Sequence, residues 1–337
     1  MVAEEQDTEP EGYERLDEGA VFSEIIRKHN LGRVQTEHIK KLHQERRDLL
    51  EDIKGQIERR WEEDNAGVVA YTAGANARRN AITVADVPAL GEVLAQVGDC
   101  DSINLILESP GGDGPTAEKL VTMCRDFGKV FRVLVPNRAK SAATLMALGA
   151  DQILMGYCSE IGPIDAQVPI GYAGFQQWVS AQTVIDAEKR LRALYQKRKG
   201  NDQDVSDVLS SLAALNPPFV EHCRCLMGFS KKLAKEYLTN MLEGQCSSPQ
   251  KRGQIVRQVI KRLTQPKEHD VHSRFIHVQE AKRLELGVVS LGKHDELWCA
   301  MWDYYNRSFV WTGTTGVPKF VESPHGTLVA RPTGNNE

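Results

Sequence analysis

Between residues 66 and 155 the apolar residues come in short unbroken runs: GVVAYTAG (67–74), SINLILE (102–108), VFRVLVP (130–136) and QILM (152–155). Each run is too short for a helix and apolar along its whole length, as a strand buried on both faces must be. Segments with helical spacing lie between them, at 85–98, 115–128 and 141–150. Strands alternating with helices in this way predict an α/β core built on a parallel sheet.

The flanks differ. From about Val34 to Trp61 the chain is dense in charge, with Leu42, Leu49, Leu50, Ile53 and Ile57 at steps near three and four. That spacing predicts an amphipathic helix with a narrow stripe to bury. Residues 174–264 read as helical, interrupted at Pro217-Pro218, and 272–292 read as a short strand, a helix and a return to the core. The acidic, polar residues 1–20 are expected to be a loose tail. The Gly-, Pro-, Thr- and Asn-rich residues 312–337 are expected to be loose as well. The predicted organisation is therefore a tail (1–20), a helical extension (21–64), one α/β domain (65–292, its helical part 174–264) and a C-terminal extension (293–337).

Composition narrows the function classes. The 337 residues carry 42 Lys+Arg against 46 Asp+Glu, a net charge of −4, and are 41% hydrophobic. That allows a large core and argues against a basic nucleic-acid binder. No apolar run reaches the roughly 18 residues of a membrane span, and the N-terminus has no apolar signal region, so a cytoplasmic location is expected. Seven Cys without a CxxC pair suit reduced thiols better than a disulfide framework or a zinc site. His269 and His272 have no third metal ligand at sensible spacing, so no metal and no cofactor is expected. The basic segment KRGQIVRQVIKRL suggests DNA contact, but Ile255, Val259 and Leu263 form an ordinary buried stripe. No nucleic-acid partner is expected.

Two strand-to-helix turns hold the chemistry. In Glu108-Ser109-Pro110-Gly111-Gly112-Asp113-Gly114, Pro110 stops the strand, two glycines turn the backbone, and Pro115 suits a helix start. Backbone N–H groups beside a helix N-terminus form an anion hole for a phosphate or an oxyanion. Neither GxxxxGK[ST] nor GxGxxG is present, which weakens the phosphate reading. On the next turn Ser141 stands where a loop becomes the helix SAATLMALGA. It is either an N-cap or a nucleophile at the end of a parallel strand, where open α/β sheets place their ligands.

The segments ESPGG, AKSAATLMALGAD and SEIGPIDAQ (159–167), in that order, resemble the serine dehydrogenase proteinase family. That family belongs to the Clp-protease/crotonase superfamily and is related to signal peptide peptidase A. The resemblance covers roughly residues 65–292. It implies a Clp/crotonase-like fold of repeated ββα units and self-assembly into homo-oligomers. It also implies Ser141 as nucleophile, Gly112 and Ala142 as oxyanion-hole donors, and Gly111 as the residue shaping the turn. No His stands between His43 and His222, so a Ser-Lys dyad fits better than a Ser-His-Asp triad. Lys140, Lys189 and His272 (or His277) are the candidate bases. Asp165 and Ser159 are expected to support the site, with Asp151 or Asp165 as possible partners of Lys140. The expected activity is ATP-independent peptide hydrolysis. The alternatives on this fold are a crotonase-like acyl-CoA enzyme and a non-catalytic assembly or adaptor protein.

Overall fold

The computed structural model describes residues 12–16, 23, 25, 27, 32–74, 79–172, 175–243, 245–265 and 274–330. They fall into two compact units, Gly162–Ile276 and the remainder on either side of it. The single domain expected for 65–292 is thus divided, and its helical part forms the second unit.

The first unit begins with β1 (Tyr13–Arg15), α1 (Arg33–Trp61), β2 (Ala66–Ala73), α2 (Asp86–Val97) and β3 (Cys100–Glu108). It continues with α3 (Gly114–Asp126), β4 (Gly128–Val135), β5 (Arg138–Ala139), α4 (Ala142–Leu148), β6 (Gln152–Met155) and β7 (Glu160–Ile161). The second unit holds the hairpin β8 (Gln167–Tyr172) and β9 (Phe175–Ser180), then α5 (Ala181–Lys199), α6 (Ser206–Ala214), α7 (Pro217–Glu243) and α8 (Pro249–Thr264). The first unit then resumes with α9 (Val278–Arg283), β10 (Val288–Ser290), α10 (Glu296–Thr315), β11 (Lys319–Ser323) and β12 (Gly326–Ala330).

The main sheet has the order β1-β12-β11-β2-β3-β4-β6-β10. Strands β2, β3, β4, β6 and β10 run parallel, as the apolar runs predicted. The other edge is antiparallel, formed by the β11–β12 hairpin and β1. Two expectations are corrected here. Residues 319–330, expected to be loose, are buried strands, and Tyr13–Arg15 pairs with β12 instead of lying in a free tail. A third correction concerns Phe175–Ser180, read as helical, which form β9. Composition misled in the first two cases, because pairing with a distant strand satisfies backbone groups that the local sequence leaves open, whereas β9 pairs with its neighbour β8 in a hairpin.

Each face of the sheet is covered. Val68, Ala70, Ile106, Leu134 and Leu154 meet Leu50, Ile53 and Ile57 of α1 and Leu297, Trp298, Met301 and Tyr304 of α10. The alternate positions Val69, Leu105, Val133 and Ile153 are fully buried too, on the face that carries α2, α3 and α4. The expected α1 stripe therefore exists, but α1 is part of the core and not an appendage. An internal ion pair fixes its place. Arg46 lies 4.5 Å from the Trp311 ring and 4.7 Å from the Phe320 ring, and donates to both oxygens of Glu322 at 2.8 and 3.0 Å. Burial opposes charge on Glu322, yet Arg46 and the Tyr304 hydroxyl (2.7 Å) hold the carboxyl below its usual range. In the second unit, Val168, Ala181, Val184, Ile185, Val220, Cys223 and Met227 form a separate cluster. On α8, Ile255, Val256, Val259 and Leu263 are buried, which leaves its basic residues on the other faces as a solvated set.

Candidate active site

The site grows out of the ends of β3 and β4. After Glu108 the chain stays beside the segment 138–140. The Ser109 N–H donates to Arg138 O at 3.0 Å, and the Lys140 N–H donates to Ser109 O at 3.0 Å. Glu108 locks the two loops together, accepting from the Arg138 N–H (2.9 Å), Arg138 Nε (2.9 Å) and Asn137 Nδ2 (3.2 Å). Its burial pushes the carboxyl up from 4.5 to about 7, against the opposing pull of Arg138.

That shift has a sign that can be checked. The unfolded chain releases the Glu108 proton near 4.5, the folded chain near 7. The folded form holds the extra proton in between, so this stabilising contribution is complete below 4.5 and is lost as pH rises through about 7. Urea denaturation at pH 5 and pH 8 is expected to show a smaller loss of stability over that interval for Glu108→Gln than for the wild type. Equal losses in both proteins would assign the effect elsewhere.

Gly111 and Gly112 carry φ of +100° and +152°. A Cβ on Gly111 would lie 2.5 Å from Lys140 O and 2.7 Å from Ser141 Cβ, so the turn after β3 is in direct contact with the serine. A Cβ on Gly112 would lie 2.4 Å from Ile82 N and O. Ile82 clamps the turn from its far side. Its N–H donates to Gly111 O at 2.8 Å, and it accepts from the Asp113 N–H at 2.9 Å. The Ile82 segment is held in turn by Asp86, which accepts from the Tyr13 and Tyr71 hydroxyls and the Thr83 N–H at 2.8 Å each. Lys319 completes this buried cluster, 2.6 Å from Asp86 and donating to Ala81 O at 2.8 Å. Tyr13 and Lys319 tie β1 and β11 into this cluster. Asp113 caps α3 by accepting from the Thr116 N–H (2.8 Å) and hydroxyl (2.6 Å). Asp113→Ala is expected to cost about 1 kcal/mol in denaturant titration.

Ser141 precedes the wholly buried α4. Its φ and ψ are +52° and −118°, and its side chain makes no capping hydrogen bond. The N-cap reading therefore fails. A non-glycine residue at such angles costs of order 1–3 kcal/mol and persists only where its surroundings impose it. The imposing contacts are Thr144 Oγ1 to Ala139 O at 2.7 Å and the Ala143 N–H to Lys140 O at 2.9 Å. Ala142, the first helical residue, has no intrahelical acceptor for its N–H. Among the described residues, the N–H groups of Gly112 and Ala142 and the Ser141 hydroxyl have no hydrogen-bond partner.

Lys140 pairs with Glu160, Nζ to Oε1 at 2.8 Å, at an angle outside hydrogen-bonding geometry. Of its expected partners, Asp151 is taken by Arg125 at 2.9 Å, and Asp165, in the second unit, accepts from Gln167 Nε2 at 3.1 Å. Ser159 is structural, bonding Val135 O and accepting from the Gly156 N–H (2.8 Å), which closes the turn after β6. Lys189 lies on an exposed face of α5 in the second unit. His272 lies outside the described residues, and His277 caps α9, accepting from the Gln279 N–H at 3.1 Å. The sequence reading missed Glu108 as a clamp, Ile82 as the opposing edge, and Lys231. Lys231 is a second-unit lysine whose ammonium is lowered from its ordinary value by burial and by Lys189. A glutamate ending an apolar strand was the one available signal for Glu108.

A serine on a constrained strand-to-helix turn is thus packed against a glycine turn on the neighbouring strand of a mixed α/β protein. Residues 79–200 match the family model described as ClpP-like SDH-type serine proteinase, which bears out over that stretch the resemblance carried by ESPGG, AKSAATLMALGAD and SEIGPIDAQ. The chain is 29% and 32% identical, each over 87 residues, to the uncharacterised proteins MJ1495 and MJ0137 of Methanocaldococcus jannaschii. Each match covers 26% of this chain and 30% of the relative, so the chain spans less than a third of those proteins. A mutant of the 1510-N membrane-bound stomatin-specific protease is similar in structure, with 13% identity, coverage of 67% of this chain and 80% of that one, and a TM-score of 0.39. No helix among the described residues is long and apolar enough to cross a membrane.

Proposed function

We propose that this chain is an ATP-independent serine peptidase. The Ser141 hydroxyl attacks a peptide carbonyl while the N–H groups of Gly112 and Ala142 receive the developing oxyanion. The amine leaves as the acyl-enzyme forms, and water then releases the acid. The supporting observation is the contact of Gly111 with Ser141, which brings two free amides and a free hydroxyl to neighbouring positions on adjacent turns. A lysine takes the serine proton in this reading, and Lys140 is the candidate within the first unit. Lys140 is next in sequence to the nucleophile, and its ammonium is engaged by Glu160. Lys140→Met tests it, since loss of the base removes the acidic limb of the pH–kcat profile, whereas loss of a bystander leaves that limb in place.

An activity-based fluorophosphonate probe tests the core of the proposal. Covalent labelling of the wild type and none of Ser141→Ala is expected. Equal labelling of both would end the reading. We further propose a homo-oligomer acting on polypeptides in the cytoplasm. All seven cysteines are free thiols, which suits a reducing compartment. Light scattering of the purified protein tests the assembly.

A further inference from the structure

The second unit contains a cavity of about 500 Å³ lined by α5, α7 and Gln265. Its floor is apolar, from the buried side chains of Ile185 and Met227. Its walls carry Lys189, Lys231, Arg224 and Asp186. Gly228 leaves the space open, since a Cβ there would meet nothing within 4 Å.

The charges in this cavity are not mutually satisfied. Arg224 is occupied by Glu188 (2.8 Å) and Glu221 (2.9 Å). Asp186 accepts from Gln182 Nε2 at 2.9 Å, and Lys231 donates to Gln182 Oε1 at 3.0 Å. Lys189 has neither ion pair nor hydrogen bond among the described residues. Burial and Lys189 together push the Lys231 ammonium below its ordinary value, and Asp186 offsets this only in part. The exposed Lys189 and the half-buried Lys231 therefore stand beside one carboxylate that is already hydrogen-bonded. Like charges held together this way are unfavourable until an anion joins them. With Arg224 neutralised, the lining retains one positive charge, matching a monoanion.

We propose that this cavity binds a small carboxylate, its head on Lys189 and Lys231 and its apolar body over Ile185 and Met227. The site is independent of the peptidase reading, because its test measures affinity and not turnover.

Calorimetric titration of the full chain with hexanoate at low ionic strength is expected to saturate. Hexanol, the same body without the charge, is expected to bind at least tenfold more weakly. Lys189→Met and Lys231→Met are each expected to weaken hexanoate at least tenfold, whereas Lys231→Arg keeps it within a few-fold. Gly228→Leu fills the space without altering charge, favours the helix, and is expected to abolish binding. Circular dichroism melts confirm that each variant is folded. Absence of saturation in the wild type, equal affinity for hexanol, or hexanoate affinity unchanged in both Met variants overturns the proposal.

Discussion

Ser141→Ala is expected to lower peptide hydrolysis by roughly 10⁴–10⁶-fold while leaving the protein folded. The scale follows from removing the nucleophile of a covalent mechanism, after which only the oxyanion donors and substrate binding remain. Kinetics with a fluorogenic peptide and a matched melt of both proteins check it. Loss of activity together with loss of structure would point to a structural role. The backbone supplies an independent test. Alanine inherits the strain of φ +52°, but glycine does not, so Ser141→Gly is expected to be more stable than Ser141→Ala by about 1 kcal/mol or more. A serine held at a conformation that glycine would relieve is what the proposed nucleophile requires. A glycine variant that is no more stable than Ser141→Ala would show that the backbone at 141 is unstrained.

Gly111→Ala is expected to have the largest effect on stability, about 2–6 kcal/mol, combining overpacking with positive-φ strain of roughly 1–3 kcal/mol each. The new methyl would meet Lys140 O at 2.5 Å, which is backbone and cannot swing aside, and Ser141 Cβ at 2.7 Å. Any relief separates the two turns, so activity is expected to fall even at temperatures where the variant is fully folded. Gly171→Ala is the control. A Cβ there meets nothing within 4 Å, and its stability is expected to change by less than about 1 kcal/mol. Chemical denaturation of the two variants side by side distinguishes a close-packed turn from a general intolerance of alanine. A near-neutral Gly111→Ala would show that the turns are not in contact.

The parallel centre of the sheet and the two strand-to-helix turns were legible in the chain because their signals are local. Four apolar runs imply strands buried on both faces, and Pro110-Gly111-Gly112 and Ser141 mark turns whatever surrounds them. The edge of the sheet was not legible in the same way. Residues 319–330 and Tyr13–Arg15 look like ordinary polar chain until β2 offers a partner edge and Asp86 offers the Tyr13 hydroxyl an acceptor. The pairing of Lys140 with Glu160, and of Asp151 with Arg125, was equally hidden, since sequence spacing does not say which carboxylate a lysine reaches.

By itself, then, the amino-acid sequence determined which segments are strands and helices in the centre of the first unit, and which serine and glycines end them. Tertiary structure decided that Gly111 touches Ser141, that Glu108 and Ile82 hold the turns from either side, and that the long helical stretch stands as a unit of its own. The physical reason is range. Turn chemistry is set by the φ and ψ preferences of a few neighbouring residues, whereas a shared site and a buried charge depend on partners that only the completed sheet brings within reach.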